Sequence, residues 1–179
     1  MARIVDDAGL IRAVMPVLRN VADYIVQKIW NENRELVRII VYEAYQPVKY
    51  KRTGDFQNAW DTKAGSSGTK ATGEFYYNWE SMSVGYPSTN PNSEQFGRHA
   101  SAIDNFDARP YLADIIYNGL AGPAFGSGNR DGAWARKRDV WKQLQKRVGK
   151  SKIAQWFEES LTSQGVQFNR HRGKIEYEK

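Results

Sequence analysis

Cysteine is absent from this 179-residue chain, which excludes disulfides, thiolate metal sites and a cysteine nucleophile. Histidine is nearly as scarce, with His99 and His171 as the two examples. Neither has a second histidine or a carboxylate at a helical metal-ligand spacing, so a metal site would have to be assembled from distant segments. We therefore expect no metal and no cofactor.

Long apolar runs are also missing. The longest, "LVRIIVY", is interrupted by Arg38 and is far shorter than the roughly 20 residues that span a bilayer. Asp6, Asp7 and Arg12 stand where a signal peptide would need an unbroken apolar core. The sequence therefore predicts no membrane partner and no export by that route.

Catalytic motifs are not found either. The glycine-rich stretch "GLAGPAFGSGNRDG" lacks a Gly-Lys-Ser/Thr end, and its G-x-G at Gly126 and Gly128 is followed by Asp131 where a dinucleotide fingerprint has its third glycine. No G-x-S-x-G pentapeptide of a serine hydrolase occurs. A metal-dependent nuclease would need the fold to gather four scattered carboxylates, namely Asp104, Asp107, Asp114 and Asp131. We predict that the chain is not an enzyme.

Positive charge is present but local. The net charge is +6, and eight basic residues with one acidic residue lie in residues 136–152, which leaves the rest of the chain close to neutral. Such a region can meet nucleic-acid phosphates, an acidic protein surface or only water. The candidate interface or phosphate contacts are Arg136, Arg138, Lys142, Lys146, Arg147 and Lys150.

The first forty-five residues read as one long helix, because apolar residues recur at steps of three and four from Ile11 to Ala44. Pro16 lies inside this pattern, where it either kinks the helix or marks its first turn. The helix is expected to end close to Tyr45, since Pro47 forces the residue before it out of helical geometry.

The stretch "YEAYQPVKYKRTGDFQNAW" that follows has two readings. Tyr45 and Tyr50 beside three basic residues, Lys49, Lys51 and Arg52, could stack bases and clamp phosphates. Alternatively, Thr53 caps a short helix that directs Phe56 and Trp60 the same way, into contact with the long helix. We favour this structural corner, whose residues are Pro47, Arg52, Thr53, Gly54, Phe56 and Trp60.

The remaining elements follow from composition and periodicity. Residues 64–73 are predicted to form an exposed hairpin tip or loop, and "GEFYYNWESMSVG" is predicted to form a strand that pairs with the segment after Trp60. Residues 86–110 read as a long loop, and residues 112–117 as a short strand or helix. Two C-terminal helices are expected at 133–148 and 151–163. The first would bury an apolar face made of Trp134, Trp141, Leu144 and Val148.

These elements predict an α+β fold: a long N-terminal helix packed on a small antiparallel β-sheet, with one or two C-terminal helices and long loops. Residues 1–168 form one domain, and residues 169–179 form a polar C-terminal tail.

In this order the elements resemble the tail-completion, or neck, protein family of long-tailed bacteriophages. The resemblance rests on the long helix ending near Pro47, the segment Arg52-Thr53-Gly54-Asp55-Phe56, which is similar to that family's Thr-Gly corner, and the apolar-plus-glycine segment "IIYNGLAG". It covers residues 10 to 165, and its motifs are short.

The resemblance implies a structural role without catalysis. Such proteins assemble as rings, commonly hexameric, in the virion neck after synthesis in the host cytoplasm, where they join the tail tube or terminator to head-completion (adaptor) proteins. Any contact with packaged DNA would be non-specific. A rival interpretation is a basic nucleic-acid-binding protein that uses residues 136–152.

Overall fold

A computed structural model describes residues 7–44, 54–82, 100–101, 106–107, 109–118 and 138–167. Its architecture is mixed α+β, as predicted, with a long N-terminal helix on a two-stranded antiparallel sheet and further helices toward the C-terminus. The helices are α1 (Asp7–Val37), α2 (Asp55–Asn58), α3 (Leu112–Asn118), α4 (Val140–Arg147) and α5 (Lys150–Ser163). The strands are β1 (Trp60–Ser67), β2 (Lys70–Tyr77), β3 (Ala100–Ser101) and β4 (Phe106–Asp107).

The predicted N-terminal helix is confirmed as α1, which continues through a π-helical segment, Arg38–Glu43. Pro16 lies inside α1, so the interpretation of Pro16 as the first turn is wrong. The π-helical segment carries an exposed ion-pair group in which Arg38 contacts Glu35 and Glu43. The hydrogen bond from Arg38 holds the pKa of Glu35 below its ordinary value.

The β1–β2 hairpin is the main sheet, with Trp60 opposite Tyr77 and Ser67 opposite Lys70. Of the two alternatives for residues 64–73, the hairpin tip is confirmed and the loop is wrong, because both strands extend to a tight turn at Gly68 and Thr69. Gly68 has φ of 58°, a left-handed conformation that glycine adopts at little cost. Gly, Ser and Thr therefore form strand here because the pairing partner is only a turn away.

A second, much shorter antiparallel pair joins β3 to β4. It lies in the segment predicted as a long loop, so the described part of that segment includes paired backbone. Residues 112–117, predicted as a strand or a helix, belong to α3.

The core lies between the second half of α1, the base of the hairpin, α3 and α4. Its buried side chains are mainly aliphatic and aromatic: Leu36, Val37, Val41, Phe56, Ala59, Trp60, Met82, Leu112, Ile116, Tyr117, Val140 and Leu144.

Helices α4 and α5 confirm the predicted pair of C-terminal helices. The described part of the first begins at Val140, and residues 133–137 of the prediction, with Trp134, lie outside the described residues. Leu144 is buried as expected, but the expectation for Trp141 is wrong, because its side chain is 48% exposed. Val140 takes the buried position instead, one residue earlier on the helix.

Helix α5 runs antiparallel to α1. Tyr24 donates a hydrogen bond to Glu159 at 3.1 Å, and Asn20 donates one to Gln164 at 3.0 Å. The earlier residue of α1 therefore contacts the later residue beside α5, as in an antiparallel pair. Gly165 follows α5 with φ of 73°, the left-handed conformation in which helices often end. Val166 N–H then bonds the Leu161 carbonyl at 3.0 Å, which closes the helix end.

The hairpin and α1 approach each other at backbone distance. A Cβ added to Gly73 would lie 2.6 Å from Val26 Cγ1 and 3.1 Å from the Ala22 carbonyl oxygen. Both distances are shorter than carbon makes in ordinary packing, and the carbonyl belongs to helix backbone that cannot rotate away. Glycine at this position therefore sets how close the sheet lies to α1.

We predict that Gly73→Ala lowers the free energy of unfolding by about 1–3 kcal/mol, because the methyl group must push β2 away from α1. Urea denaturation followed by circular dichroism measures this. Gly65→Ala is the matched control on the partner strand, since its Cβ would lie 3.8 Å from Thr72 Oγ1, an ordinary contact. Equal stability of the two variants would contradict the close approach.

Candidate functional site

The corner between the long helix and the hairpin begins at Gly54, whose φ of 83° turns the chain into α2. Gly54 itself is the N-cap residue of α2, the position expected for Thr53. Pro47, Arg52 and Thr53 lie outside the described residues. The described part of the corner therefore depends on glycine's backbone freedom.

Phe56 and Trp60 are buried in the core beside Leu36 and Val37 of α1, as the corner interpretation expects. Only Phe56 belongs to the short helix, because Trp60 is the first residue of β1. The two rings meet edge to face, with centroids 6.1 Å apart. Their burial removes them from any base-stacking surface.

Trp60 lies at the centre of an aromatic stack. Phe75 packs on one side with ring centroids 5.1 Å apart, and Tyr117 of α3 stacks with a centroid distance of 5.6 Å. Phe56 and Tyr77 contact the same indole at 6.1 and 5.2 Å. Offset and edge-to-face rings contribute about 0.5–1.5 kcal/mol per pair beyond their buried area, so this stack joins helix α3 to the hairpin.

Polar atoms inside the stack are few. Trp30 Nε1 donates to the Trp60 carbonyl at 2.7 Å, and the Tyr117 hydroxyl donates to Asn33 Oδ1 at 3.0 Å. Burial raises the pKa of Tyr117 well above its ordinary value, because the phenolate would lose its water. Within the described ranges, Asn33 Nδ2 and Trp60 Nε1 are buried without a hydrogen-bond partner. None of these groups is suited to proton transfer near neutral pH.

The segment Arg109–Tyr111, which leads into α3, is hydrogen-bonded to the end of the hairpin and to the residues that follow it. The Tyr77 hydroxyl donates to the Arg109 carbonyl at 2.7 Å, and Arg109 donates in turn to the Met82 carbonyl at 2.8 Å. The same guanidinium lies 5.3 Å from the ring centroid of Trp79, a cation–π distance. The sequence offered no signal for this role, since the partners are 27 and 32 residues away.

Among the candidate basic residues that the structure describes, Arg138 is half-buried and the others are exposed. Arg138, predicted as a phosphate or interface contact, is half-buried and donates to the carbonyls of Ile40 and Val41 at 2.9 and 3.5 Å. This is a correction: the side chain satisfies carbonyl groups near the end of the π-helical segment. Arg147 is exposed and pairs with Glu32 at 3.3 Å.

Lys142, Lys146 and Lys150 are exposed on α4 and α5, as a contact region requires. Arg136 lies outside the described residues. The described cationic surface is therefore a set of lysines, which bind anions as point charges rather than through the two-pronged geometry of arginine.

No metal centre is assembled by the described ranges, where no group of three or more His, Asp or Glu residues could hold an ion. His99, His171, Asp104 and Asp131 fall outside them. Across the same described residues, none of the helices has the length and apolar character of a bilayer-spanning segment.

Several large apolar side chains remain exposed although the core is well packed. They lie on the first turns of α1, on the π-helical segment, on the outer face of β2, on Arg109–Tyr111 and on both C-terminal helices. They are Leu10, Val14, Ile39, Tyr76, Tyr111, Trp141, Ile153 and Phe157. Single exposed apolar side chains are common on protein surfaces, so the informative ones are those that lie together, Leu10 with Val14 and Ile153 with Phe157.

Comparisons of the chain with protein-family models, with curated protein sequences and with solved structures find no match in any of the three.

We predict that Arg138→Met lowers the free energy of unfolding by about 1.5–3 kcal/mol, because two partly buried carbonyls lose a charged donor while the aliphatic stem is kept. Thermal or urea denaturation measures it. Lys142→Met, four residues along and exposed, is the matched control and should change stability by less than about 0.5 kcal/mol. An equally small effect of the two substitutions would contradict a stabilising role for the hydrogen bonds that Arg138 donates to these carbonyls.

Proposed function

We propose that the protein is a structural component of the head–tail neck of a long-tailed bacteriophage, of the tail-completion type. It assembles with copies of itself into a ring between the tail tube and the head-completion proteins and performs no catalysis. The observation that carries this proposal is the two pairs of neighbouring exposed apolar side chains, Leu10 with Val14 on α1 and Ile153 with Phe157 on α5, which lie outside the buried cluster of the described residues.

Exposed apolar side chains favour assembly over a site for a small molecule. A ring subunit needs at least two different contact surfaces, one for each neighbour, and two more for the structures above and below. Leu10 and Phe157 on opposite ends of the α1–α5 pair, and Tyr76 on the hairpin, are far enough apart along the chain's elements to serve different neighbours. Phe157 and Tyr76 are aromatic, and aromatic side chains often carry much of the binding energy of an interface.

The hairpin supports the same proposal. Within the described residues β1 and β2 form a sheet of two strands, so each strand has one edge without a described partner. The outer face of this sheet carries charged and polar side chains, with Lys63 opposite Glu74. An open strand edge can accept a further strand from a neighbour, and charged side chains such as these limit unintended pairing of exposed edges.

Electron microscopy of the purified protein in negative stain tests the proposal. We expect rings with a central opening, and we expect added density at the ends of tail tubes when these are mixed with the protein. Monomeric particles together with undecorated tube ends would contradict it.

Nucleic-acid binding is the second candidate, and the exposed lysines are what favour it. For a protein that binds nucleic acid through α4, the slope of log affinity against log salt would fall by about 2 when Lys142 and Lys146 are changed to Glu. Under the neck proposal we expect only weak, sequence-independent binding to DNA in filter-binding assays, and rings that survive the double change. Tight binding at physiological salt that the double variant loses would favour the second candidate.

A further inference from the structure

Two of the exposed apolar pairs have the same spacing. On α1, Leu10 and Val14 lie four residues apart and are 46% and 37% exposed. On α5, Ile153 and Phe157 lie four residues apart and are 37% and 39% exposed. Residues four apart lie on one side of a helix, so each pair forms a short apolar strip. We refer to them as the α1 strip and the α5 strip.

The α1 strip continues a line of α1 that is covered further along. Val17 and Val21 extend it at helical spacing, and Val21 is buried. Beside them lies the end of α5, where Gln164 contacts Asn20 and the Val17 carbonyl. Helix α5 ends at Ser163, so the same side of α1 that it covers near residue 20 is left open at residues 10 and 14.

The α5 strip lies at the opposite end of this helix pair and differs from the α1 strip in charge. Lys150 precedes Ile153 by three residues, just as Asp7 precedes Leu10 by three. Both charged residues begin their helices and lie on the same side as the strip that follows. The two strips therefore match in spacing and are opposite in charge.

We propose that the α1 strip of one copy packs against the α5 strip of the next copy, with the two helices parallel. This alignment places Asp7 beside Lys150, Leu10 beside Ile153 and Val14 beside Phe157, since each pair of residues is separated by the same offset along the sequence. The proposal rests on the proposed function in one respect, namely that the chain assembles with itself.

A contact between two different strips is heterologous, so each copy keeps one strip free for a further neighbour. Repetition of such a contact gives a ring when the rotation closes and a filament when it does not. Four apolar side chains and one ion pair make a contact smaller than a stable dimer needs. Ring closure compensates, because each subunit is then held at two places at once.

The contact cannot form within one copy. Arg147, just before α5, pairs with Glu32, while residue 7 begins α1. Twenty-five residues of helix separate residues 7 and 32, which at 1.5 Å per residue is about 37 Å. A disulfide requires Cα atoms within about 7 Å. A disulfide between positions 7 and 150 therefore has to join two copies.

The absence of cysteine allows a clean test. In the first experiment, Asp7→Cys and Lys150→Cys are made as separate variants, mixed and oxidised gently. In the second, a variant that carries both substitutions is oxidised, and its covalent oligomers are separated by non-reducing gel electrophoresis. We expect the mixture to give a disulfide-linked dimer of one variant with the other, and the double variant to give species up to the closed ring. Asp7→Cys mixed with Lys142→Cys is the matched control and should remain uncrosslinked.

Assembly measured separately distinguishes the two proposals. Rings without the 7–150 disulfide would overturn the strip contact and leave the neck proposal standing, whereas a monomer without the disulfide would overturn both.

Variants give an independent readout. Phe157→Asp should dissociate the assembly into folded monomers by sedimentation and circular dichroism, while Ile39→Asp, a matched exposed position, should not. The exchange of charges in Asp7→Lys with Lys150→Asp should restore assembly lost in either single variant. Assembly of Phe157→Asp equal to that of the unchanged protein would contradict the contact.

Discussion

The close contact between α1 and the β1–β2 hairpin is the constraint on which the rest of the structure depends. Gly73 lets the backbone of β2 approach Val26 and the Ala22 carbonyl, and Trp60 fills the wider space at the base of the hairpin. The indole is stacked against Phe75 of the hairpin and Tyr117 of α3. The middle of the sheet is thus held close to α1 by the absence of a side chain, and the base of the hairpin is fixed by the largest one.

This arrangement explains where the exposed apolar surface lies. The second half of α1 belongs to the core, but its first turns extend past the end of α5, and α5 in turn presents Ile153 and Phe157 at its own beginning. A long helix on a small sheet leaves its ends uncovered, because a two-stranded hairpin cannot reach along 31 residues. In the proposed ring, neighbouring copies would cover these ends.

Periodicity was enough to predict α1 and the two C-terminal helices, since each depends on local spacing. The burial of Phe56 and Trp60 was also predicted, but from a helical spacing that does not hold, because Trp60 begins β1. Composition left residues 64–73 open between a hairpin tip and a loop, and it gave no sign that Gly73 is needed for the close approach to α1. Arg138 looked like one more member of a basic run, because nothing local shows that carbonyls of Ile40 and Val41 lie beside it. The Asn33–Tyr117 bond spans 84 residues and has no local signal at all.

Sedimentation velocity at micromolar concentration tests self-assembly most directly, with the chain alone and then mixed with tail-tube or head-completion protein. The account predicts one discrete species whose mass is a fixed multiple of the 20.5 kDa chain, alone or in those mixtures. A single 20.5 kDa species under all of these conditions would contradict it.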